Sequence, residues 1–253
     1  MPNAPLTLND VTAVILAGGF GTRVKHLLPG IPKPMAPVAG KPFLEWIVRY
    51  LGQQGIQQVV LSVGYLAEVI EKYFQPQPVS GVKITCVRET EPLGTAGGFL
   101  NAVAHTADQP PAWLVLNGDS LVCTQFQGLL DCLNDSDVEG AILGVEVDDR
   151  SRYGGLAQDG QGNLAGFTEK RPGAGLINAG IYLFRHSLLE TFPKQLPSSF
   201  EYDVFPTMIA NQVNLRAQPV TAAFLDIGTP ESLSQVDDFI RANIDLQKHN
   251  GVF

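Results

Sequence analysis

The run Val11-Thr12-Ala13-Val14-Ile15-Leu16 empties directly into Ala17-Gly18-Gly19-Phe20-Gly21-Thr22-Arg23. A short apolar run rich in β-branched residues, with no polar alternation, suits a strand buried on both faces of a parallel sheet. Parallel neighbours need long crossovers, so such a strand commits the chain to alternating strands and helices. Where the strand ends, Gly18, Gly19 and Gly21 let backbone N–H groups approach a ligand with no side chain in the way. Arg23 adds a permanent fork-shaped cation, and Lys33, within Pro32-Lys33-Pro34, adds a point-like one. Two cations beside a glycine-lined turn describe a site for a polyphosphate.

A Gly-Gly turn after a first strand can also be a plain tight connection, so the surrounding letters decide. A dinucleotide fingerprint requires G-x-G-x-x-G, but Val24 stands where its third glycine packs helix on strand. The nearest acidic residue to the expected ribose-binding offset is Glu45. A Walker A loop, G-x-x-x-x-G-K-[ST], occurs nowhere. The site binds phosphate in another way.

The 253 residues are 45% apolar and 17% charged, which supports a large core in one domain. A net charge of −8 argues against nucleic acid or an anionic membrane as partner. Cys86, Cys123 and Cys132 show no C-x-x-C spacing and fit a reduced compartment as small core residues, while four scattered histidines speak against zinc. Apolar runs stop short of a membrane span and no signal peptide is visible, so a cytoplasmic protein is expected.

Leu44, Ile47, Val48 and Leu51 share one helix face, with Gly55 as the C-terminal stop and Val59 to Val63 as the next buried strand. Leu66, Val69, Ile70 and Tyr73 repeat the helical spacing. Strands follow at Val82 to Val87 and Trp113 to Leu116, with a helix starting near Gly94. This rhythm means an α/β fold with a parallel sheet, helices on both faces, and ligands at the strands' C-terminal ends. Later strands, Gly140 to Val147, Leu164 to Thr168, Ile177 to Phe184, Leu215 to Val220 and Ala222 to Leu225, are punctuated by glycine and suggest a mixed, β-rich lobe. Thr229-Pro230 opens the last helix as N-cap and first residue. No hexapeptide repeat follows Asp226.

Further candidates sit at predicted strand ends: Pro92-Leu93-Gly94-Thr95-Ala96-Gly97-Gly98, Asn117-Gly118-Asp119, Glu169-Lys170, Asn178-Ala179-Gly180 and Asp226-Ile227-Gly228. Singly, each has an ordinary explanation. Asp119 suits a turn or N-cap, Asp226 an Asx-turn, Glu169 with Lys170 a solvated pair, and Asn178 a backbone partner.

Taken together, LAGGFGTR, PKP, PLGTAGG, NGD, EK, NAGIY and DIGTP resemble the sugar nucleotidyltransferase family, the nucleotide-sugar pyrophosphorylases, from about Val11 to Ile244. Within it, Pro29 to Trp46 and the segment SVGYL at Ser62 to Leu66 are similar to the D-glycero-α-D-manno-heptose 1-phosphate guanylyltransferases. Many hexose-activating relatives carry P-L-T before the P-K-P, whereas this chain has Leu28-Pro29-Gly30. The resemblance implies a Rossmann-like (GT-A-like), mostly parallel mixed sheet flanked by helices, with a small β-rich sugar-binding lobe. It implies one domain over 1–253, with a nucleotide-binding half at about 11–135, a sugar-binding half at about 136–228 and a C-terminal helix at 229–246.

The implied reaction joins a nucleoside triphosphate and a sugar 1-phosphate, by positioning and charge neutralisation rather than covalent catalysis. By carry-over, Leu16, Ala17, Gly18, Gly19, Gly21 and Thr22, with Gly94 and Thr95, cradle the nucleotide. Arg23 binds the β- and γ-phosphates, and Lys33 meets charge growing on the α-phosphate. Asp119 and Asp226 ligate Mg²⁺. Lys170 holds the sugar's phosphate, while Glu169, Asn178 and the Gly154 backbone meet sugar hydroxyls. Glu89, five residues before Gly94, falls where relatives contact the base edge. A carboxylate only accepts hydrogen bonds, which matches guanine's N1–H and N2–H₂ and favours GTP. Cytosine's amino group also satisfies it, and Glu89 can instead pair with Arg88. Nucleic acid and membrane are not expected partners, and the chain would act as a monomer or homodimer. Two competing readings are a glycosyltransferase, which commonly carries D-x-D where Asn117-Gly118-Asp119 stands, and a non-catalytic nucleotide-sugar sensor, which would be expected to lose Arg23, Lys33 or an aspartate.

Overall fold

A computed structural model describes residues 5–107 and 109–244. Strands β1 (Val11–Ala17), β2 (Gln58–Val63), β3 (Lys83–Arg88) and β4 (Ala112–Asn117) alternate with helices α1 (Phe43–Gln53), α2 (Ala67–Phe74) and α3 (Gly94–Ala104). They lie parallel in the order β3-β2-β1-β4. Gly55, at φ +100°, takes the left-handed conformation that stops α1 where the sequence places its end. Register aligns the strand ends: Leu16 lies opposite Ser62 on one side and Asn117 on the other, and Ser62 lies opposite Val87. Four loops therefore leave the sheet along one edge.

Besides a two-residue ribbon at Pro37–Val38 and Lys41–Pro42 and short helical turns, the other elements are β5 (Ser120–Val122), α4 (Gln127–Cys132), β6 (Gly140–Val147), β7 (Gly155–Gln158), β8 (Leu164–Thr168), β9 (Gly175–Arg185), α5 (Phe205–Ala210), β10 (Leu215–Val220), β11 (Phe224–Asp226) and α6 (Pro230–Asn243). β9 runs antiparallel to β4 and to β6, and β10 lies parallel to β6, so one mixed nine-stranded sheet crosses the molecule. Only the antiparallel β7–β8 pair, joined to β9 through Gly155 and Ile177, stands out as the small β-rich lobe. The strand expected at Ala222 to Leu225 starts later, at Phe224, and pairs with β5 in a separate ribbon that sets Asp226 opposite Ser120. Residues 245–246 of the expected last helix lie outside the described residues.

Alternating side chains split the core into two layers. Ala13 and Ile15 of β1 belong to one layer with Leu44, Ile47 and Leu51 of α1, Ile70 of α2, and Val236 and Ile240 of α6. Val14 and Trp113 face Phe99 of α3 and a cluster of Phe184, Phe192, Phe200 and Phe205. Each buried Val, Leu, Ile or Phe among them contributes roughly 1.5–3 kcal/mol. Thr229 caps α6 by accepting the Ser232 N–H at 3.2 Å. Glu45 is fully buried in α1 and accepts from Arg49 Nε at 2.6 Å and from the Tyr73 hydroxyl, which accounts for it structurally.

Candidate functional site

At the shared strand edge the loops enclose a cleft of about 510 Å³. Its wall takes residues from the ends of the four parallel strands β1 to β4: Leu16, Gly18 and Gly19 at β1, Gly64 after β2, Glu89 after β3, and Asn117 with Asp119 at β4. Lys33, Gly94 and Thr95 complete the predicted residues in it. Crevices at this edge of an open α/β sheet are where such folds bind ligands.

The glycines explain the tight approach of the loops. A Cβ on Gly18 would sit 2.8 Å from Glu89 Oε1, and one on Gly64 would sit 2.9 Å from the Gly18 carbonyl oxygen. Gly21, at φ +57°, rests against Lys33, whose Cβ an added methyl would meet at 2.9 Å. Glu89 accepts the Ser62 hydroxyl at 2.8 Å and the Leu93 N–H at 3.4 Å. Arg88 pairs with Glu71 instead, so the carboxylate keeps acceptor capacity for a ligand.

The second glycine turn is locked from behind. The Ser198 carbonyl takes the N–H groups of Ala96 and Gly97 at 2.9 and 3.2 Å, and Phe200 N–H donates to Thr95 Oγ1 at 3.1 Å. Gly94 has φ +76°, and a Cβ there would lie 2.4 Å from the Ser198 oxygen. Gly94→Ala is therefore expected to cost about 1–3 kcal/mol in overpacking, read by urea denaturation. A variant as stable as the wild type would show that this contact yields.

Charge is arranged in a short series. Lys33 Nζ forms an ion pair with Asp119 Oδ2. The Asp119 carbonyl accepts the Ile227 N–H at 2.9 Å, which holds the Asp226 turn beside it. Asp226 Oδ1 accepts the Gly228 N–H at 2.7 Å, the Asx-turn that its sequence suggests. Burial first, and then the charge of Asp119, raise the Asp226 carboxyl above its ordinary range, while the Gly228 bond, Lys33 and Arg152 pull the other way. Two carboxylates that strain each other in this way form a hard oxygen set suited to a divalent cation. Among the described residues no group of three or more His, Cys, Asp or Glu forms a larger metal cluster.

Other expected residues lie outside the cleft lining. Arg23 and Thr22 are exposed on the glycine loop, Ala17 is buried in β1, and Glu169 and Lys170 are exposed just after β8. Asn178 is committed within the protein: its Nδ2 donates to the Tyr182 hydroxyl at 3.0 Å and to Glu201 Oε1 at 2.8 Å, and its Oδ1 accepts the Gly180 N–H at 3.0 Å. The Gly154 carbonyl accepts the Asn178 N–H at 3.0 Å, tying the β7 start to β9. Gly180, at φ +70°, lies where a Cβ would come 2.1 Å from Asn117 Nδ2, and the ladder slips register there. Such bulges re-aim side chains next to sites.

Sequence reading missed Phe20, Tyr65, Arg152 and Glu201. Phe20 and Tyr65 line the cleft, and Arg152 donates to Thr229 Oγ1 at 3.3 Å near Asp226. Only their position within quoted motifs pointed to the first two. Burial raises the thiols of Cys86 and Cys123 to about 11, which keeps them in the unreactive protonated form. Among the described residues no helix is long and apolar enough to cross a membrane.

Comparison with known proteins follows the same lines. A family model described as "Nucleotidyl transferase" matches residues 12–243. The chain is 39% identical over 220 residues to a D-glycero-alpha-D-manno-heptose 1-phosphate guanylyltransferase of Campylobacter jejuni subsp. jejuni, covering 87% of this chain and 95% of that one. It is 38% identical over 226 residues to the mannose-1-phosphate guanylyltransferase catalytic subunit beta of Drosophila pseudoobscura pseudoobscura, covering 88% of this chain and only 60% of that relative's length. Among solved structures, HddC from Yersinia pseudotuberculosis complexed with GMP-PN superposes with a TM-score of 0.78 at 36% identity, covering 90% of this chain and 98% of that one.

Proposed function

The chain belongs to the nucleotidyl transferase family, and from that premise we propose that it transfers GMP from GTP to a sugar 1-phosphate, D-glycero-α-D-manno-heptose 1-phosphate foremost. A phosphate oxygen of the sugar attacks the α-phosphorus, the bond to the β-phosphate oxygen breaks, and GDP-sugar and pyrophosphate result. The supporting observation is one cleft that holds two glycine turns and the Lys33–Asp119 pair at the ends of four parallel strands. The identity to the Campylobacter heptose enzyme, over almost its full length, supports the sugar. The identity to the fly enzyme supports mannose 1-phosphate as the second choice.

Each residue then has a physical task. The bare backbone at Gly18 and Gly19 admits the nucleotide, and Glu89 accepts from the guanine edge. Lys33 neutralises charge at the α-phosphate, where preorganised cations cost little reorganisation. Asp119 and Asp226 would hold Mg²⁺, which supplies further neutralisation of the phosphates when bound. Lys170 and Glu169, on the lobe, face the sugar phosphate and its hydroxyls. Arg23, exposed on the loop, grips the departing pyrophosphate. Arg23→Ala is expected to lower kcat/KM about 10²-fold with the circular dichroism spectrum unchanged. Wild-type turnover in that variant would remove Arg23 from this role.

The function is tested by following pyrophosphate release from GTP, CTP, UTP, dTTP and ATP against a panel of sugar 1-phosphates. GTP with the heptose phosphate should rank among the best pairs. If it does not, the sugar and base assignment fails. Release with no pair would fell the enzyme reading as well.

A further inference from the structure

The cleft carries an aromatic pair that none of these roles uses. Phe20 sits on the glycine loop and Tyr65 follows β2, and they are the only aromatic side chains lining the cleft among the described residues. Their ring centroids are 5.6 Å apart, with the planes at 49°. Phe20 is 54% exposed, one of four exposed large hydrophobic side chains among the described residues. Covering a phenyl ring from water is favourable, so an open aromatic at the wall of a cleft offers a face to a bound planar group.

Tyr65 is held in place. Its N–H donates to the Gly18 carbonyl at 3.1 Å, and Lys25 Nζ lies 4.6 Å over its ring. Gly18 also abuts the Glu89 carboxylate, so the acceptor group and the aromatic pair flank a single residue. A carboxylate that reads the edge of a base and rings that cover its plane are complementary halves of nucleobase recognition.

Resting on the function proposed above, we infer that Phe20 and Tyr65 form the stacking surface for the guanine of GTP, while Glu89 takes its edge. A purine presents more face than a pyrimidine, so the pair also favours GTP over UTP. Phe20 is then a specificity-determining residue of the nucleotide, distinct from the charged groups that act on the phosphates.

The test is calorimetric GTP and UTP binding, with KM and kcat, on the wild type, Phe20→Ala, Phe20→Leu and Phe20→Trp. Loss of base stacking at Phe20→Ala should weaken GTP about 10- to 100-fold, with a smaller loss for UTP. Phe20→Leu, apolar but without a π-face, should stay near the alanine value, and Phe20→Trp should return near the wild type. GTP binding unchanged in Phe20→Ala, or restored by leucine as well as by tryptophan, overturns the stacking role. A wild type that binds no nucleoside triphosphate fells the function along with it, whereas a GTP-binding wild type indifferent to Phe20 fells the stacking alone.

Discussion

Lys33→Ala is expected to lower turnover about 10³-fold while GTP still binds, because under the proposed reaction the missing cation would matter most where charge develops at the α-phosphate. The structure adds a second reason for a large effect. Lys33 is ion-paired with Asp119, so its removal leaves that carboxylate next to Asp226 with less positive charge to offset it. Lys33→Arg should recover little, since the site is a close-packed point contact with Gly21 behind it, and a planar fork does not replace an ammonium there. Single-turnover kinetics separate binding from chemistry. A variant whose turnover stays within 10-fold of the wild type would strip Lys33 of this part.

Asp226→Asn is expected to cost a similar ~10³-fold in turnover and yet stabilise the folded chain at neutral pH. The native carboxyl is raised above its ordinary range by burial and by Asp119. A folded-state value above the unfolded one means the folded state holds the proton more tightly. Stability is therefore lost as pH climbs from the unfolded value through the folded one, and the cost is complete above the folded value. Asparagine carries no charge and its Oδ1 still accepts the Gly228 N–H. Without divalent cations, melting should rise by about 2–4 °C for each kcal/mol recovered. The gain should shrink toward acid pH. Equal or lower melting of the variant at pH 7 would show that the carboxylate is not strained.

What could be read from the letters follows from how the information is stored. β1, β2 and β4 were legible because strands buried on both faces need unbroken apolar runs, and glycines follow each of them. α1 and α6 were legible from periodicity and caps, Thr229 and Gly55 included. α4 and α5, six residues each, are too short to show a repeat. The insertion of β9 between β4 and β6 was hidden because alternation says nothing about which strand lies alongside. Among the site residues, Lys33, Glu89 and Asp119 reach the cleft as expected, since each follows a strand or sits in a rigid Pro-Lys-Pro segment. The side-chain partners of Asn178 were not legible: its Oδ1 takes a backbone N–H, as its ordinary reading has it, but its amide goes to Tyr182 and to Glu201, twenty-three residues away. Phe20 escaped notice because a lone aromatic in a loop carries no spacing.

The hold of Ser198 on Ala96 and Gly97 has an architectural cost. A chain cut after residue 135 would keep both glycine turns, yet leave those two donors bare and expose the whole flank of β4 that β9 covers. The front half is thus no self-sufficient module. Its second glycine turn hangs from a hook supplied late in translation, and splitting or permuting the polypeptide between the halves would have to preserve that hook.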